Sequence, residues 1–332
     1  THYLPDNLIL RYFKESKKRQ YFLKWERKQP QSFSLIFNTK ADSLPKIKPL
    51  NFDWDGKYML QKNATKDTLT YWLTKAEVFN IDTLKMAMTY MKTDSTFQLA
   101  PQTDTINVIM RKAKAVKNKS NKADLHKKES YNFTTNANGN FEVYNPIYLK
   151  FDAPLENADL SKIHLSEKVD TILKPLPVEW RQIDSTKMSF AINYKWEPEK
   201  SYDLKIDSTA FRSIYYLENE KYSSSFKIKS LDEYSAIKVM ISPYDSLAVL
   251  QVVDTKDKVL QTKPAKPDGT LFEYLNPGDF YLRAFIDKNR NGVWDTGEFD
   301  SHLQPEDVYY SPKKLSLRAN WEFEETWNMT EV

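Results

Sequence analysis

Apolar and polar residues alternate along most of the chain, and this period of two constrains the fold more than any other feature of the sequence. Successive side chains of a β-strand point to opposite faces, so each alternating run has one apolar and one polar face. One face on a core and one face in water is typical of antiparallel sandwiches. The clearest runs are 33–37, 84–90, 106–110, 143–151, 188–196, 202–206 and 237–241. The sequence therefore predicts an all-β chain of tandem β-sandwich domains.

An Asp-Thr or Asp-Ser pair opens many of these runs, as at Asp67-Thr68, Asp104-Thr105 and Asp184-Ser185. The side chains of Asp, Ser and Thr bond to their own nearby backbone in turns, and the branched residue that follows favours a strand. The pairs therefore indicate turns from which strands begin.

Helical periodicity is sustained only near the start of the chain. There Leu8, Leu10, Tyr12 and Phe13 precede a charged stretch that runs to Arg27, which predicts a short helix or a docking arm. The first residue is not a natural start, and no charged-then-apolar signal segment follows it. We therefore expect a mature or excised fragment whose own N-terminus does not reveal its localisation.

Three domains are expected from the 332 residues, which are too many for one ordinary core. The stretch 111–128 is basic, polar and free of alternation, as in an exposed linker or a large loop. A second boundary is expected near 230–235, where one strand pattern ends and another begins. The predicted division is a β-sandwich at 1–112, a basic linker or loop at 113–129, and two further domains at 130–231 and 233–332.

Composition excludes several classes of site. The chain has no cysteine, and its 6 glycines form no dinucleotide-binding, Walker-type or nucleophile-elbow loop. The 4 histidines lie far apart in sequence and match no metal-ligand spacing. No window approaches 18 uninterrupted apolar residues, so we expect no membrane-spanning segment here. The net charge of +4 is nearly balanced, and no aromatic residue interrupts the basic stretch, so no nucleic-acid partner is expected.

One stretch, residues 287–298, fits a known site chemistry position by position. Oxygen donors stand at positions 1, 3, 5, 9 and 12 and glycine at position 6, as in the twelve-residue calcium loop of an EF-hand. The expected ligands are the side chains of Asp287, Asn289, Asn291 and Glu298, the backbone carbonyl of Val293, and Asp295 directly or through water.

A loop without a metal is the alternative for the same residues. The preceding run, 280–286, alternates like a strand, whereas an EF-hand loop joins two helices. Asn291-Gly292 is also a strong hairpin signal, and Lys288 and Arg290 dilute the negative charge. If Ca²⁺ binds, we expect a structural role in which it rigidifies a loop between strands.

The middle of the chain resembles a known family. The segments 143–155, 162–165, 196–206 and 224–226, with Pro198, Tyr202 and Leu204 at the most recognisable turn, resemble the bacterial Ig-like domain of the SbsA type. In the last domain, Asp268-Gly269 and the segments 275–278 and 281–283 resemble a transthyretin-like module related to the carboxypeptidase regulatory domain.

With its first domain included, the chain resembles the C-terminal part of Ig-like-domain envelope lipoproteins of Bacteroidota. That resemblance implies tandem Ig-like and transthyretin-like sandwiches and a cell-envelope location, either associated with the outer membrane, periplasmic or surface-exposed. A lipid anchor upstream of this segment is also implied.

The Asp-Ser and Asp-Thr pairs resemble, in addition, the O-glycosylation sites of that phylum. The expected acceptors are Ser43, Thr68, Thr83, Ser95, Thr105, Thr171, Ser185, Ser208 and Ser246. Strand-initiating turns would produce the same short pattern, so both interpretations stay open.

Two functions fit these observations. The first is a non-catalytic envelope protein whose modules act as a scaffold for other envelope proteins, as in an accessory subunit of an outer-membrane assembly. The second is a carbohydrate-binding protein for polysaccharide capture, because many Tyr and Trp side chains are available to stack on sugar rings. A hydrolase with Glu322 and Glu324 as its acid pair is a third, weaker option, since alternating carboxylates usually form a solvated face. We expect no enzyme activity.

The aromatic C-terminal tail also has two interpretations. The segment 321–327 is either a docking strand for a partner or the strand that closes the last sheet, with Trp321, Phe323 and Trp327 in the core.

Overall fold

A computed structural model of the chain describes residues 19–40, 43–110, 129–298 and 301–329. The prediction of an all-β chain of tandem sandwiches is confirmed: within these ranges 26 strands form mostly antiparallel sheets, and a single α-helix spans four residues. The described residues fall into two compact units, one within residues 17–228 and one from Lys229 onward. Among these residues, no helix is both long and apolar enough to cross a membrane.

The first sandwich of the larger unit packs two sheets. Strands β1, β2, β5 and β4 form one sheet in that order, and β3, β6 and β7 form the other. Their bounds are β1 Phe22–Gln29, β2 Ser32–Phe37, β3 Lys46–Pro49, β4 Tyr58–Lys62, β5 Thr68–Leu73, β6 Thr83–Thr93 and β7 Leu99–Ile109, with helix α1 at Ala76–Phe79 between β5 and β6. The alternation predicted for β2 and β6 holds, because Phe33, Leu35, Met86 and Met88 all lie in the core between the sheets.

The structure corrects the prediction of a helix or arm for the charged stretch that ends at Arg27. Residues 1–18, which hold the apolar part of the predicted helix or arm, lie outside the described residues. From Phe22 onward the chain is strand β1, paired antiparallel with β2. The reason is tertiary: Arg27 is buried, and its guanidinium bonds to backbone carbonyls of the first sandwich, which no local pattern in the sequence reveals.

The second sandwich of the larger unit is built from eleven strands. Their bounds are β8 Phe133–Thr135, β9 Gly139–Phe141, β10 Ile147–Phe151, β11 Leu155–Ala158, β12 Ile163–Val169, β13 Ile172–Leu176, β14 Glu179–Gln182, β15 Ser189–Asn193, β16 Ser201–Ile206, β17 Phe211–Ser213 and β18 Tyr222–Ile228. One sheet has the order β14-β15-β10-β8 and the other β13-β12-β16-β18-β9, while β11 and β17 form a two-stranded pair. Strand β9 joins β18 in parallel, so a short strand from the start of this region closes one edge.

Aromatic side chains fill the core of the second sandwich. Tyr131 is buried, and its hydroxyl donates a hydrogen bond of 2.7 Å to the carbonyl of Ala153. Burial, and to a smaller degree the charge of Asp152, raises the pKa of this hydroxyl. A satisfied hydroxyl lets a large ring be buried without an orphaned polar group, which is the usual condition for a core tyrosine.

The smaller unit is a third sandwich. Its strands are β19 Ser235–Ser242, β20 Ala248–Asp254, β21 Val259–Pro264, β22 Thr270–Leu275, β23 Gly278–Ile286, β24 Val308–Tyr310, β25 Leu315–Leu317 and β26 Glu322–Asn328. One sheet has the order β22-β19-β26, and the other has the order β21-β20-β23-β24 with β25 paired to β23. Alternate residues of β19, β20 and β23 form the core between the two sheets.

The C-terminal tail closes this sandwich, as one of its two sequence interpretations states. Strand β26 pairs in parallel with β19 over its full length, and Trp327 lies in the core with Phe323 partly buried against it. Trp321 departs from that interpretation, because its ring is 45% exposed under the guanidinium of Arg318. The carboxylates of Glu322 and Glu324 are exposed, as expected for a solvated strand face.

The predicted basic linker at 113–129 lies outside the described residues except for Glu129. The three predicted domain ranges therefore stay a prediction. The described residues show three separate buried apolar clusters, of which two belong to the larger unit and one to the smaller.

Candidate functional site

The candidate cation loop, residues 287–306, connects β23 to β24 in the smaller unit. Its first end is fixed by the sheet, because the backbone N–H of Asp287 donates 2.9 Å to the carbonyl of Leu247. Its second end is fixed in the same way, because the N–H of Ile286 donates 2.9 Å to the carbonyl of Asp307. A rigid strand therefore presents Asp287 at the point where the loop begins.

The carboxylate of Asp287 organises the first half of the loop. The side chain is buried, with 6% exposure, and its two oxygens accept the backbone N–H groups of Asn291 at 3.0 Å and Gly292 at 2.7 Å. Gly292 has a φ of +77°, a left-handed conformation that favours glycine. The tight turn predicted at Gly292 is therefore present, with the predicted first ligand at its centre.

The carboxylate of Asp295 gathers the amides of the loop. Its Oδ2 accepts hydrogen bonds of 2.6 Å from Nδ2 of Asn289 and 2.6 Å from Nδ2 of Asn291. Val293 stands in the same turn with an exposed side chain, so it offers the loop only its backbone. The structure thus brings together the side chains of Asp287, Asn289, Asn291 and Asp295, with Val293 in the same turn, so five of the six residues that the sequence singled out lie together.

Glu298, the predicted bidentate ligand, has different partners. Its carboxylate accepts the hydroxyl of Ser301, and its backbone forms a two-way bridge with Leu303 at 2.9 Å. Within the described part of the loop, no hydrogen bond joins Glu298 to the other five predicted ligands.

A residue that the sequence pattern missed, Glu306, lies against the loop instead. Its carboxylate is buried, with Oε1 accepting the N–H of Lys288 at 2.8 Å and Oε2 accepting the N–H of Asp295 at 3.1 Å. Its backbone carbonyl accepts the indole N–H of Trp294 at 3.0 Å. Glu306 stands beyond the twelve positions of the loop pattern, so only the fold reveals its position.

The oxygen atoms of the loop are of the types that a hard cation such as Ca²⁺ binds. Two buried carboxylates, Asp287 and Glu306, have no Lys, Arg or His partner among the described side chains, and Lys288 pairs at 3.2 Å with Asp307 instead. Carboxylate, amide and carbonyl oxygens are the ligands that Ca²⁺ takes, six to eight at a time. In the described ranges no three His, Asp or Glu side chains alone converge on a metal position, so a cation here depends on amide and carbonyl oxygens.

The two asparagines decide whether the loop can take a cation. Each turns its amide nitrogen toward Asp295 in this structure, whereas a cation requires the amide oxygen. A half-turn of each amide group exchanges the two atoms with no change of backbone. It also gives up the bonds that the amide oxygens accept, from the N–H of Asn291 to Asn289 at 3.1 Å and from the N–H of Val293 to Asn291 at 2.7 Å. The loop geometry is therefore compatible with both sequence interpretations, a calcium loop and a metal-free turn.

A second concave feature lies in the larger unit, beside the turn that follows β17. It has a volume of about 230 Å³, and Tyr216 at its rim is 73% exposed. The lining residues are Glu129, Ser130, Ser208, Thr209, Tyr216, Leu217, Glu218, Asn219 and Glu220. A ring beside hydroxyl and carboxylate groups is the chemistry that the carbohydrate hypothesis requires.

The predicted glycosylation acceptors mostly stand in accessible positions. Ser43, Ser95, Thr105, Thr171, Ser185, Ser208 and Ser246 are exposed, while Thr68 and Thr83 are half-buried. Thr68 also donates its hydroxyl to Asp67 at 2.9 Å, as expected for a strand-opening turn. Glycosylation stays a prediction, and the exposed group is where it is to be sought.

No family model matches the chain, and no curated protein matches it. Solved structures similar to it include the N-terminal part of the bacterial S-layer protein SbsC, with 9% identity over 44% of this chain and 39% of that one, and a TM-score of 0.24. The Bacillus anthracis TIE protein is 9% identical over 96% of this chain and 58% of that one, with a TM-score of 0.20. BcpA, the major pilin subunit of Bacillus cereus, is 9% identical over 86% and 95%, with a TM-score of 0.20.

The chain thus spans less than two thirds of the first two of these structures. At such identities and TM-scores the likeness carries no argument about function. The resemblance to Bacteroidota envelope lipoproteins stays a prediction.

Proposed function

We propose that this chain is a non-catalytic cell-envelope protein whose serial sandwiches act as a scaffold for other envelope proteins. One observation carries the proposal: most of the large apolar side chains of the described strands lie in three buried clusters that follow one another along the sequence. What remains on the surface of these modules is strand edges, turns and single exposed side chains, which suit contact with other macromolecules.

The side chains that the sequence offered for catalysis lie on exposed strand faces. The acid pair considered from the sequence, Glu322 and Glu324, lies exposed on the edge strand β26, and Glu324 stands 3.8 Å from Lys238. His164, one of the four histidines, pairs with Asp207 at 3.0 Å on an exposed strand face. These placements favour a binding or spacing role over catalysis.

Affinity purification of the tagged full-length protein from its native membranes, followed by mass spectrometry, tests this proposal. We expect stoichiometric recovery of other envelope proteins. Recovery of the bait alone, from a preparation that retains glycan, contradicts the scaffold role and directs attention to carbohydrate capture. The cavity beside Tyr216 is then the first place to examine, by comparing glycan retention with that of Tyr216→Ala.

The candidate cation loop has a structural role in this proposal, in which Ca²⁺ joins Asp287, Asn289, Asn291 and Asp295 and so stiffens the connection between β23 and β24. A ligand that binds only the folded state at a hundred times its Kd stabilises that state by about 2.7 kcal/mol. For a unit of this size, Ca²⁺ is therefore expected to raise the Tm of the smaller unit by roughly 10 °C relative to EGTA.

Matched variants assign the ligands of that site. Asp287→Ala is expected to abolish the shift in Tm that Ca²⁺ produces, whereas the exposed Asp268→Ala leaves it unchanged. Glu298→Ala and Glu306→Ala distinguish the carboxylate that the sequence pattern predicts from the one that the fold places against the loop. An unchanged Tm of the unsubstituted protein in Ca²⁺ and in EGTA supports the metal-free turn.

A further inference from the structure

Tyr215 links the two sandwiches of the larger unit. It lies in the turn between β17 and β18 of the second sandwich, and its hydroxyl donates 3.0 Å to the carbonyl of Leu73 in the first. The carbonyl of Gln31 lies 3.3 Å from the same hydroxyl oxygen. One side chain therefore bonds to backbone that is distant in sequence and belongs to the other core.

The acceptors of this hydroxyl are rigid. The N–H of Leu73 itself donates 2.8 Å to the carbonyl of Gln31, so both acceptors belong to one hydrogen-bonded edge where β5 ends. Leu73 is also part of the first core. The bond from Tyr215 therefore ends on a fixed element of the first sandwich rather than on a movable loop.

The ring of Tyr215 makes an apolar contact at the same place. Phe79, the last residue of α1, meets it edge-on with ring centroids 5.8 Å apart and planes at 90°. Burial raises the pKa of the Tyr215 hydroxyl, which agrees with a position shielded from water. An aromatic pair of this geometry adds to the stability that burial alone supplies.

Trp72 of β5 supplies a second apolar contact across the same boundary. Its neighbours Tyr71 and Leu73 lie in the first core, whereas Trp72 is 5% exposed and belongs to the buried cluster of the second sandwich, with Met59 of β4 packed against that cluster. The end of β5 is thus buried on both faces, as in sheets that carry a second layer. The indole N–H stays satisfied by a bond of 3.1 Å to the side chain of Gln61.

Hydrogen bonds within the second sandwich fix the turn that carries Tyr215, independently of its contacts with the first sandwich. Ser213 is fully buried, and its hydroxyl accepts the N–H groups of Tyr215 at 3.3 Å and Leu217 at 3.1 Å. Its backbone carbonyl accepts the N–H of Tyr216 at 2.9 Å. A preorganised turn loses little entropy when its side chain docks, so the contact is expected to persist.

We infer that the two sandwiches of residues 19–228 form one rigid body that unfolds as a unit, with Tyr215 and Trp72 as the contacts that set their relative orientation. Linked domains normally move relative to one another unless a large apolar interface prevents it. Here the buried indole of Trp72, the edge-on pair of Tyr215 and Phe79, and the hydrogen bond of the partly buried Tyr215 hydroxyl together provide such an interface. The inference does not depend on the proposed scaffold role.

Spin-label distances test the inference directly. The chain has no cysteine, so labels attach only where one is introduced. Thr105→Cys on β7 and Lys168→Cys on β12 place one exposed label on a strand of each sandwich. The full-length protein is expected to give one narrow distance distribution. When Tyr215→Ala and Trp72→Ala are added, the width of this distance distribution is expected to increase by about twofold or more, because the two sandwiches then move independently.

The adjacent Tyr216→Ala is the matched control, since that side chain is exposed, and it is expected to leave the distribution narrow. A broad distribution in the unsubstituted protein, or a narrow one in the double variant, overturns the inference.

Calorimetry of Tyr215→Phe covers the case in which the double variant fails to fold, since this change removes only the hydroxyl. In the unsubstituted full-length protein the larger unit is expected to unfold in one transition. In Tyr215→Phe the transition of this unit is expected to be broader or split. Two separate transitions in the unsubstituted unit also overturn the inference.

Discussion

Trp196→Ala is expected to lower the free energy of unfolding of the larger unit by about 3–5 kcal/mol, the range for deletion of a large buried aromatic side chain. Trp196 is 4% exposed and lies edge-on to Phe141, Tyr202 and Phe226, with ring centroids 4.9–5.6 Å away. Its indole N–H also donates 2.7 Å to the carbonyl of Asn145. Alanine therefore leaves a large cavity, unpaired ring edges and a carbonyl without its donor.

Chemical denaturation followed by circular dichroism measures this loss. Trp321→Ala is the matched control, because that indole is half exposed in the smaller unit and its removal is expected to change the free energy of unfolding by less than about 0.5 kcal/mol. The loss in the free energy of unfolding for Trp196→Phe is expected to lie between those of these two variants, since a ring remains in the cavity. A loss for Trp196→Ala no larger than that for Trp321→Ala contradicts the assignment of Trp196 to the core.

Arg27→Ala has the second large expected effect, a loss of about 2–4 kcal/mol in the free energy of unfolding of the larger unit. Arg27 is 2% exposed, and its two Nη groups donate to the carbonyls of Ile81 at 2.7 Å, Phe79 at 2.9 Å, Pro30 at 3.1 Å and Asp82 at 3.3 Å. Burial lowers the pKa of the guanidinium, while the charge of Asp82 opposes that shift. Among the described residues Nε has no hydrogen-bond partner, so burial of this side chain carries an energetic cost. Its removal leaves several backbone carbonyls without this hydrogen-bond donor.

Two further substitutions separate the bonds of Arg27 from its charge. Arg27→Met keeps the length of the side chain and removes the buried charge, so its loss is expected to be smaller than that of alanine. Arg27→Lys keeps the charge but cannot reach four carbonyls with one ammonium group. The neighbouring Lys28→Ala is the control, because Lys28 is exposed and, among the described residues, its ion pair is with the partly exposed Glu26 at 3.1 Å. Equal losses for Arg27→Ala and Lys28→Ala contradict a stabilising role for the hydrogen bonds of Arg27.

Periodicity was sufficient for the strands because side-chain direction is a local property. The runs at 84–90, 202–206 and 237–241 became β6, β16 and β19 with the predicted faces in the cores. It failed over the charged stretch that ends at Arg27, which the predicted helix or docking arm included, because Phe22–Gln29 is strand β1 and Arg27 is buried in it. A buried cation is decided by which carbonyls surround it, and those carbonyls come from a distant part of the chain.

The candidate cation loop divides in the same way. The spacing within residues 287–295 was enough to predict the turn at Gly292 and the convergence of four donors, since all of them lie within one short loop. It was not enough to find Glu306, because that residue lies beyond the twelve positions of the pattern, just before β24. Glu298, which the pattern places in the ligand set, bonds to Ser301 in the structure.

The sequence by itself determined the all-β class, the inward faces of the strands and the position of the loop, because each follows from the order of neighbouring residues. The tertiary structure decided which strands meet, as where β26 lies parallel to β19 and β9 parallel to β18. It also decided that Trp72 is buried in the core of the second sandwich while Tyr71 and Leu73 are buried in that of the first. It placed the hydroxyl of Tyr215, in the second sandwich, against the backbone of the first. These pairings join residues far apart in sequence, and the free energy that selects them comes from burial shared by both partners, which neither partner's local sequence contains.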